Sequence, residues 1–270
     1  MASRWRTWKP LLLEAFLISN YAFLIVDIFM AHSVNRFQHW AEWIPFGFSG
    51  LAALLLLVGL LLRGDTGRSR TYLITGYVVG YSSIAVGIAG LLWHLESQFF
   101  ARQTIESLVY TAPFIAPLAY AGLGFLTLLC RMESPENAGF GRWVILLALG
   151  GFVGNFVLSL CDHAQNGFYY ATEWIPVVAS AYGIGFLVTA LFDVGERLLR
   201  MTLVVLALQI AVGVWGFVLH LRADVNGVSS SLYENFIHGA PIFAPLLFAN
   251  LALLGMLGVY DAWLDQRRRG

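Results

Sequence analysis

Eight apolar runs of about 20 residues divide this chain, and such runs are the length of helix that crosses a bilayer. Only 12% of the residues are charged, against about 25% in a typical soluble domain. The connections between the runs are short, so no soluble domain is left over. The sequence therefore predicts an all-α polytopic membrane protein with eight transmembrane helices, at residues 11–32, 43–63, 72–94, 109–130, 142–162, 174–193, 200–220 and 236–260.

Basic residues are distributed unevenly between alternate connections. Only Arg36, Arg102 and Arg222 fall in one set of connections, and the other set holds the remaining Lys and Arg residues. Connections rich in these residues stay in the cytoplasm. We therefore expect a protein of the plasma or bacterial inner membrane, with both termini cytoplasmic and the six histidines near the outer, periplasmic face. The inner set is Arg4, Arg6, Lys9, Arg63, Arg68, Arg70, Arg131, Arg142, Arg197, Arg200, Arg267, Arg268 and Arg269.

Two sequence patterns each occur twice. The pattern H-x2-N-x-F-x4-E-W-I-P runs from His32 and again from His163, an offset of 131 residues. A second pattern joins a histidine, a glutamate and the run A-P-x-x-A-P-L, with offsets of 126 to 128 residues. The chain is therefore predicted to hold two tandem, parallel four-helix repeats, at 1–135 and 136–270. Because each unit has an even number of spans, we expect a pseudo-two-fold axis along the membrane normal.

The repeated histidines and glutamates are the candidate functional residues. Odd-numbered spans end at a histidine, and the following connections carry a glutamate. Imidazole and carboxylate together suit iron, manganese or zinc, and imidazole also suits copper. Grouping such side chains beside lipid is costly unless they are paired or hold a cation. We expect the main metal ligands to be His32, His94, His163, His220, Glu42, Glu106, Glu173 and Glu234, with His39 and His238 as lesser candidates.

Two alternatives to a metal ion remain open. The histidines and glutamates can simply bond to each other and close the loops, or pairs of histidines can ligate a haem b. Haem needs no repeated carboxylate, and histidines at span ends would leave the macrocycle half outside the membrane. Tyr110, Tyr170 and His238 are candidate proton relays. Differences between the halves leave open whether one or both sites are functional.

Prolines and buried charges add two further expectations. The second pattern carries prolines four residues apart in each copy, Pro113 with Pro117 and Pro241 with Pro245, which predicts a bent helix. Glu14 lies about one turn inside the cytoplasmic face, so we expect its carboxylate to reach the interface. The midspan polar residues form no charged relay, unlike those of most pumps.

These features favour a membrane redox or electron-transfer protein with a His/Glu metal centre at the outer face. It would act on a quinone or another lipophilic substrate, or serve a respiratory or oxygenase-type complex together with other membrane subunits. A non-catalytic structural subunit, a haem b protein and a metal or small-solute transporter are the alternatives. The lipid bilayer is the one partner that the sequence requires, and we expect no binding to nucleic acid.

Overall fold

The computed structural model describes residues 2–64, 67–134, 137, 139–193 and 195–269, with the backbone alone at 2–4, 6, 7 and 269. All regular structure in these ranges is helical. Two short 3-10 turns, Trp40–Glu42 and Ala171–Glu173, precede the second and eighth helices. The α-helices are α1 Ala2–Ser33, α2 Trp43–Leu61, α3 Arg70–Glu96, α4 Phe99–Arg102, α5 Ile105–Val109, α6 Leu118–Met132, α7 Phe140–Gln165, α8 Trp174–Phe192, α9 Glu196–Val225, α10 Leu232–His238 and α11 Leu246–Arg269.

Seven of these helices are long and apolar enough to cross a membrane, namely α1, α2, α3, α7, α8, α9 and α11. They confirm the prediction of an all-α integral membrane protein embedded in lipid. Large apolar side chains such as Leu54, Ile74 and Val204 remain exposed on the faces of these helices, as lipid contact requires. The remaining predicted span, 109–130, differs from the expectation.

That segment contains a helix of only 15 residues, α6, which is shorter than the roughly 20 residues that a bilayer needs. Residues 110–117 before it form turns instead of the first half of a bent helix. Proline has no N–H and its ring clashes with the preceding turn, so the helix begins only after Pro117. The second copy of the A-P-x-x-A-P-L run has the same effect, because α11 begins directly after Pro245.

The helices pack mainly within two groups, through successive helices and, in the second group, also through α7 and α11. One group is α1, α2, α3 and α6, and the other is α7, α8, α9 and α11. Glycines allow the closest approaches: a Cβ at Gly87 would lie 2.7 Å from the backbone N of Ala121, and one at Gly141 would lie 2.6 Å from that of Ala262. The predicted boundary between the halves, at 135 and 136, lies outside the described residues.

The beginning of α1 and the end of α11 lie side by side. Lys9 Nζ is 2.7 Å from Asp261 Oδ1, and Trp5 Nε1 donates to the same oxygen at 2.9 Å. At the other end of the bundle, Gln165 Nε2 donates to the carbonyl of Val109 at 2.9 Å and ties α7 to α5. We call the end at which α1, α3, α7 and α9 finish the histidine end, because each carries a histidine there. The side chains of Arg4, Arg6 and Arg269 lie outside the described part of the chain.

Candidate metal site at the histidine end

Two histidines and a glutamate form a first cluster, defined as His32, His94 and Glu42. The imidazole rings of His32 and His94 have their centroids 6.2 Å apart and lie nearly perpendicular, at 74°. Glu42 Oε1 is 3.9 Å from His32 Nδ1, and the carboxylate interacts electrostatically with both histidines. The side chains of His32 and Glu42 are only 16% and 13% exposed, so solvent screens this group weakly.

The second cluster, His163, His220 and Glu173, has a similar arrangement. Glu173 Oε2 lies 3.8 Å from His163 Nδ1, with side chains 13% and 21% exposed. His163 and His220 are close enough to interact electrostatically. His220 also faces Asp224, one turn later on α9, whose Oδ1 accepts a hydrogen bond from the backbone of Ala240 at 2.8 Å. The first cluster has no counterpart to this carboxylate, since Gln98 stands one turn after His94.

The proline pairs orient one histidine in each cluster. His94 Nδ1 lies 2.9 Å from the carbonyl oxygen of Pro113, and His220 Nδ1 lies 2.9 Å from that of Pro241. In a continuous helix, residue 117 would donate its N–H to the carbonyl of residue 113, but Pro117 has none. Each carbonyl instead accepts a turn bond at 3.1 Å, from Ala116 N–H at Pro113 and from Ala244 N–H at Pro241. Its second lone pair bonds the imidazole, and Nε2 points elsewhere, as in many metal-binding histidines.

The loops after α1 and α7 hold the two glutamates in matching ways. Asn35 Nδ2 donates to Glu42 Oε1 at 3.4 Å, and Asn166 Nδ2 donates to Glu173 Oε1 at 3.3 Å. Phe37 and Phe168 take the left-handed backbone conformation, with φ of 49° and 53°, which is rare for a bulky side chain. Each phenylalanine stacks on the tryptophan that follows its glutamate, with centroids 4.4 and 3.9 Å apart. That contact holds a conformation that the backbone alone disfavours.

One carboxylate oxygen in each cluster is buried without a hydrogen-bond donor among the described residues. These atoms are Glu42 Oε2 and Glu173 Oε2. A buried carboxylate oxygen is costly to leave unpaired, so native proteins nearly always provide a donor, a water molecule or a cation. Each cluster therefore has a buried carboxylate with one unsatisfied oxygen. In the second cluster this oxygen is the one that faces His163, whereas in the first cluster Oε1 faces His32.

Two of the predicted glutamates lie outside these clusters. Glu106 is solvent-exposed in the first turn of α5, where Thr104 caps the helix. Glu234 lies in α10 and pairs with His238 across one helical turn, at 3.4 Å and with both side chains about half exposed. The short helices turn these carboxylates toward solvent, which the sequence spacing did not reveal.

The lesser ligand candidate His39 and the candidate proton relays Tyr110 and Tyr170 also lie apart from the clusters. His39 Nδ1 accepts the N–H of Ala41 at 3.3 Å and caps the 3-10 turn before α2. Tyr110 and Tyr170 are exposed, at 50% and 62%. Within the described ranges none of the three side chains hydrogen-bonds a cluster residue, although the backbone carbonyls of His39 and Tyr170 accept the N–H of Glu42 and Glu173, each at 3.0 Å.

The four main histidines are joined in pairs, His32 with His94 and His163 with His220. Within the described residues, no three His, Cys, Asp or Glu side chains lie close enough together to hold a metal ion as they stand. The arrangement is thus two clusters, each with two imidazoles and one nearby carboxylate.

No protein family, curated protein or solved structure matched this chain. The functional argument therefore depends on the geometry of the two clusters.

Proposed function

We propose that the protein is a membrane redox or electron-transfer protein that binds a transition-metal ion at each cluster. The observation that carries the proposal is the unsatisfied Glu42 and Glu173 oxygen beside two imidazoles in each half. A cation at these positions would satisfy the carboxylate and the free Nε2 atoms together. Imidazole with carboxylate suits iron, manganese and copper, which can change oxidation state, and also zinc, which cannot and would serve only a non-redox site. Two or three protein ligands leave positions open for a substrate.

The spacing of the first cluster is close to that of shared ligation. Two imidazoles bound tetrahedrally to one metal through nitrogens at about 2 Å have centroids about 5 Å apart. The observed separation of His32 and His94 is 6.2 Å, so the rings would approach each other by about 1 Å on binding. Glu42 would complete the site by a side-chain rotation toward the imidazoles. Exposed Trp40 and Trp43 border this region, and a lipophilic substrate such as a quinone can approach there from the bilayer.

The proposal also includes an eighth membrane crossing. Thr111, before α6, hydrogen-bonds the end of α3 at His94, whereas Arg131, at the end of α6, hydrogen-bonds its beginning at Tyr72. Residues 111–131 thus extend along the length of α3. Together with the Lys9–Asp261 pair, this supports an even number of crossings and a histidine end that faces outward, as the arginine distribution predicts.

Metal analysis of protein purified without chelators tests the proposal. We expect one metal per cluster in the parent, and loss of metal from a variant carrying His94→Ala and His220→Ala. His238→Ala is the matched control, because it removes a half-exposed imidazole that pairs with Glu234 on the surface. A parent without stoichiometric metal and without haem absorbance would contradict the proposal, and a haem spectrum would identify haem b instead.

A structural role is the second candidate, and the bonds made by the clusters favour it. The Nδ1 atoms of His94 and His220 already tie α3 and α9 to the proline turns. In a non-catalytic subunit, His94→Ala would cost about 1 kcal/mol of stability and would change no metal content. Thermal unfolding measured beside metal content separates the two functions.

A further inference from the structure

Asp224 is a buried carboxylate in the last turn of α9, and only one of its oxygens is bonded. The residue is 2% exposed, and its Oδ1 accepts the backbone N–H of Ala240 at 2.8 Å. Its Oδ2 is buried without a hydrogen-bond donor among the described residues. Burying an unpaired carboxylate oxygen is costly, and a negative charge in the last turn also opposes the helix dipole. Both costs would fall if a cation lay beside Oδ2.

The first half makes the corresponding turn without a charged group. There the backbone N–H of Ala112, which matches Ala240 in the repeated run, donates to Ser97 Oγ at 3.1 Å. A neutral hydroxyl is thus a sufficient acceptor for this N–H. The turn alone therefore does not explain why the second half buries a carboxylate at this place.

Asp224 shares a helix face with His220 of the second cluster. The two residues are four apart on α9, a spacing that places side chains one above the other. Both contact the same proline turn, because His220 Nδ1 lies 2.9 Å from the carbonyl oxygen of Pro241 and Asp224 binds the preceding residue. The two side chains also interact electrostatically. Two ligands at this spacing on one helix can bind a single metal ion, as in zinc-binding helices with two histidines.

The two clusters therefore differ in the number and charge of their potential ligands. The second has two carboxylates beside its imidazoles, and within the described ranges Glu173 Oε2 and Asp224 Oδ2 both lack a hydrogen-bond donor. The first has one carboxylate, because the exposed Gln98 stands one turn after His94. Two carboxylates neutralise a divalent cation, which matters where burial makes a net charge costly.

We propose that Asp224 is a fourth metal ligand of the second cluster, which makes that cluster a closed site for a divalent cation. The first cluster, with three potential ligands, keeps a position open for substrate. Four protein ligands are typical of structural metal sites, and three with an open position are typical of catalytic ones. Metal at the second cluster would thus stabilise the bundle, and metal at the first would carry the chemistry. The inference rests on the proposed function for the presence of metal.

Titration of metal-free protein with Co²⁺ tests the difference between the clusters. The protein is stripped with a chelator, the chelator is removed, and Co²⁺ is added to two variants. His94→Ala leaves the second cluster intact, and His220→Ala leaves the first intact. We expect the second cluster to bind Co²⁺ at least about tenfold more tightly, because the number of charged ligands sets the affinity for a divalent cation.

Asp224→Asn, made together with His94→Ala, removes the charge and keeps an oxygen that can accept the N–H of Ala240. We expect Co²⁺ affinity to fall at least about tenfold, since even the loss of a residue that only orients a ligand costs about 10–100-fold. Without metal, this variant should unfold at the same or a higher temperature than His94→Ala, because an amide is less costly to bury than a charge. Asp193→Asn is the matched control, because Asp193 is exposed beyond the far end of α8 and should leave the affinity unchanged.

The fourth ligand is refuted if Asp224→Asn keeps the Co²⁺ affinity of its background, or if the first cluster binds Co²⁺ as tightly as the second. Either result leaves the proposed function intact as long as both clusters bind metal. Metal at the second cluster alone, lost in Asp224→Asn, would support the closed site and remove the proposed metal centre of the first cluster. A protein that binds no Co²⁺ at either cluster would overturn both proposals.

Discussion

At the scale of single residues, the most consequential side chain is Arg131, which is completely buried against Glu14 and Tyr72. Removing one member of a buried ion pair leaves an unpaired charge, and that costs far more than replacing the whole group with apolar residues of similar volume. The sequence suggested that Glu14 would reach the interface, and this expectation was wrong. Its partner lies 117 positions away, and no local pattern connects them.

We predict that Arg131→Met lowers the free energy of unfolding by about 3–5 kcal/mol, because the Glu14 carboxylate would stay buried and unpaired. The triple variant Glu14→Met, Tyr72→Phe, Arg131→Met should recover most of this loss, since no polar group of the triad remains. Thermal unfolding in one detergent measures all three proteins. A triple variant as unstable as the single one would refute the explanation.

At the scale of elements, the proline turns before α6 and α11 position the histidines that end α3 and α9. The sequence showed the prolines and the histidines separately and predicted that each proline pair bends a helix. It did not show that His94 and His220 would hydrogen-bond the carbonyls of Pro113 and Pro241, because helix packing determines which elements meet. The loop patterns around Glu42 and Glu173 were more informative, since their residues contact one another within 14 positions.

Restoring an N–H at position 117 should disturb the first cluster while keeping all its ligands. In Pro117→Ala the new N–H competes with His94 for the carbonyl of Pro113. We expect metal affinity at the first cluster to fall about 10–100-fold, the usual effect of losing such an orienting partner. Pro245→Ala should weaken the second cluster instead. Metal titration of each variant, with the other cluster removed by alanine, measures the effect.

Close packing between α7 and α11 gives a further prediction. A Cβ at Gly141 would lie within 2.7 Å of backbone atoms of α11, whereas one at Gly150 on the same helix would meet nothing within 4 Å. Gly141→Ala should therefore cost about 1–3 kcal/mol of stability. Gly150→Ala serves as the control and should change stability little. Equal unfolding temperatures for both variants would contradict the helix contact.

At the scale of the whole molecule, apolar runs were sufficient to predict a bundle of membrane-spanning helices. Seven of the eight predicted runs correspond to helices of adequate length. The structure of the predicted run 109–130 could not be predicted in detail, because Pro113 and Pro117 interrupt a run whose hydropathy is continuous. The orientation in the membrane depends on charge bias and stays a prediction.

Cysteine labelling tests that orientation. In a variant without the native Cys130 and Cys161, a cysteine replacing Gln38 should react with an impermeant reagent from outside the cell. A cysteine replacing Arg197 should react only after the membrane is opened, because the arginine-rich connections are expected to face the cytoplasm. Both positions are exposed in the structure. The reverse pattern would invert the proposed topology.

The contact between Lys9 and Asp261 also determines how the chain could be reconnected. Because the first turns of α1 and the last turns of α11 are adjacent, a short linker could join them without crossing the membrane. A circularly permuted gene could then begin at α7 and end at α6, with the former halves in exchanged order. Such a protein would keep every helix contact while changing which half is synthesised and inserted first.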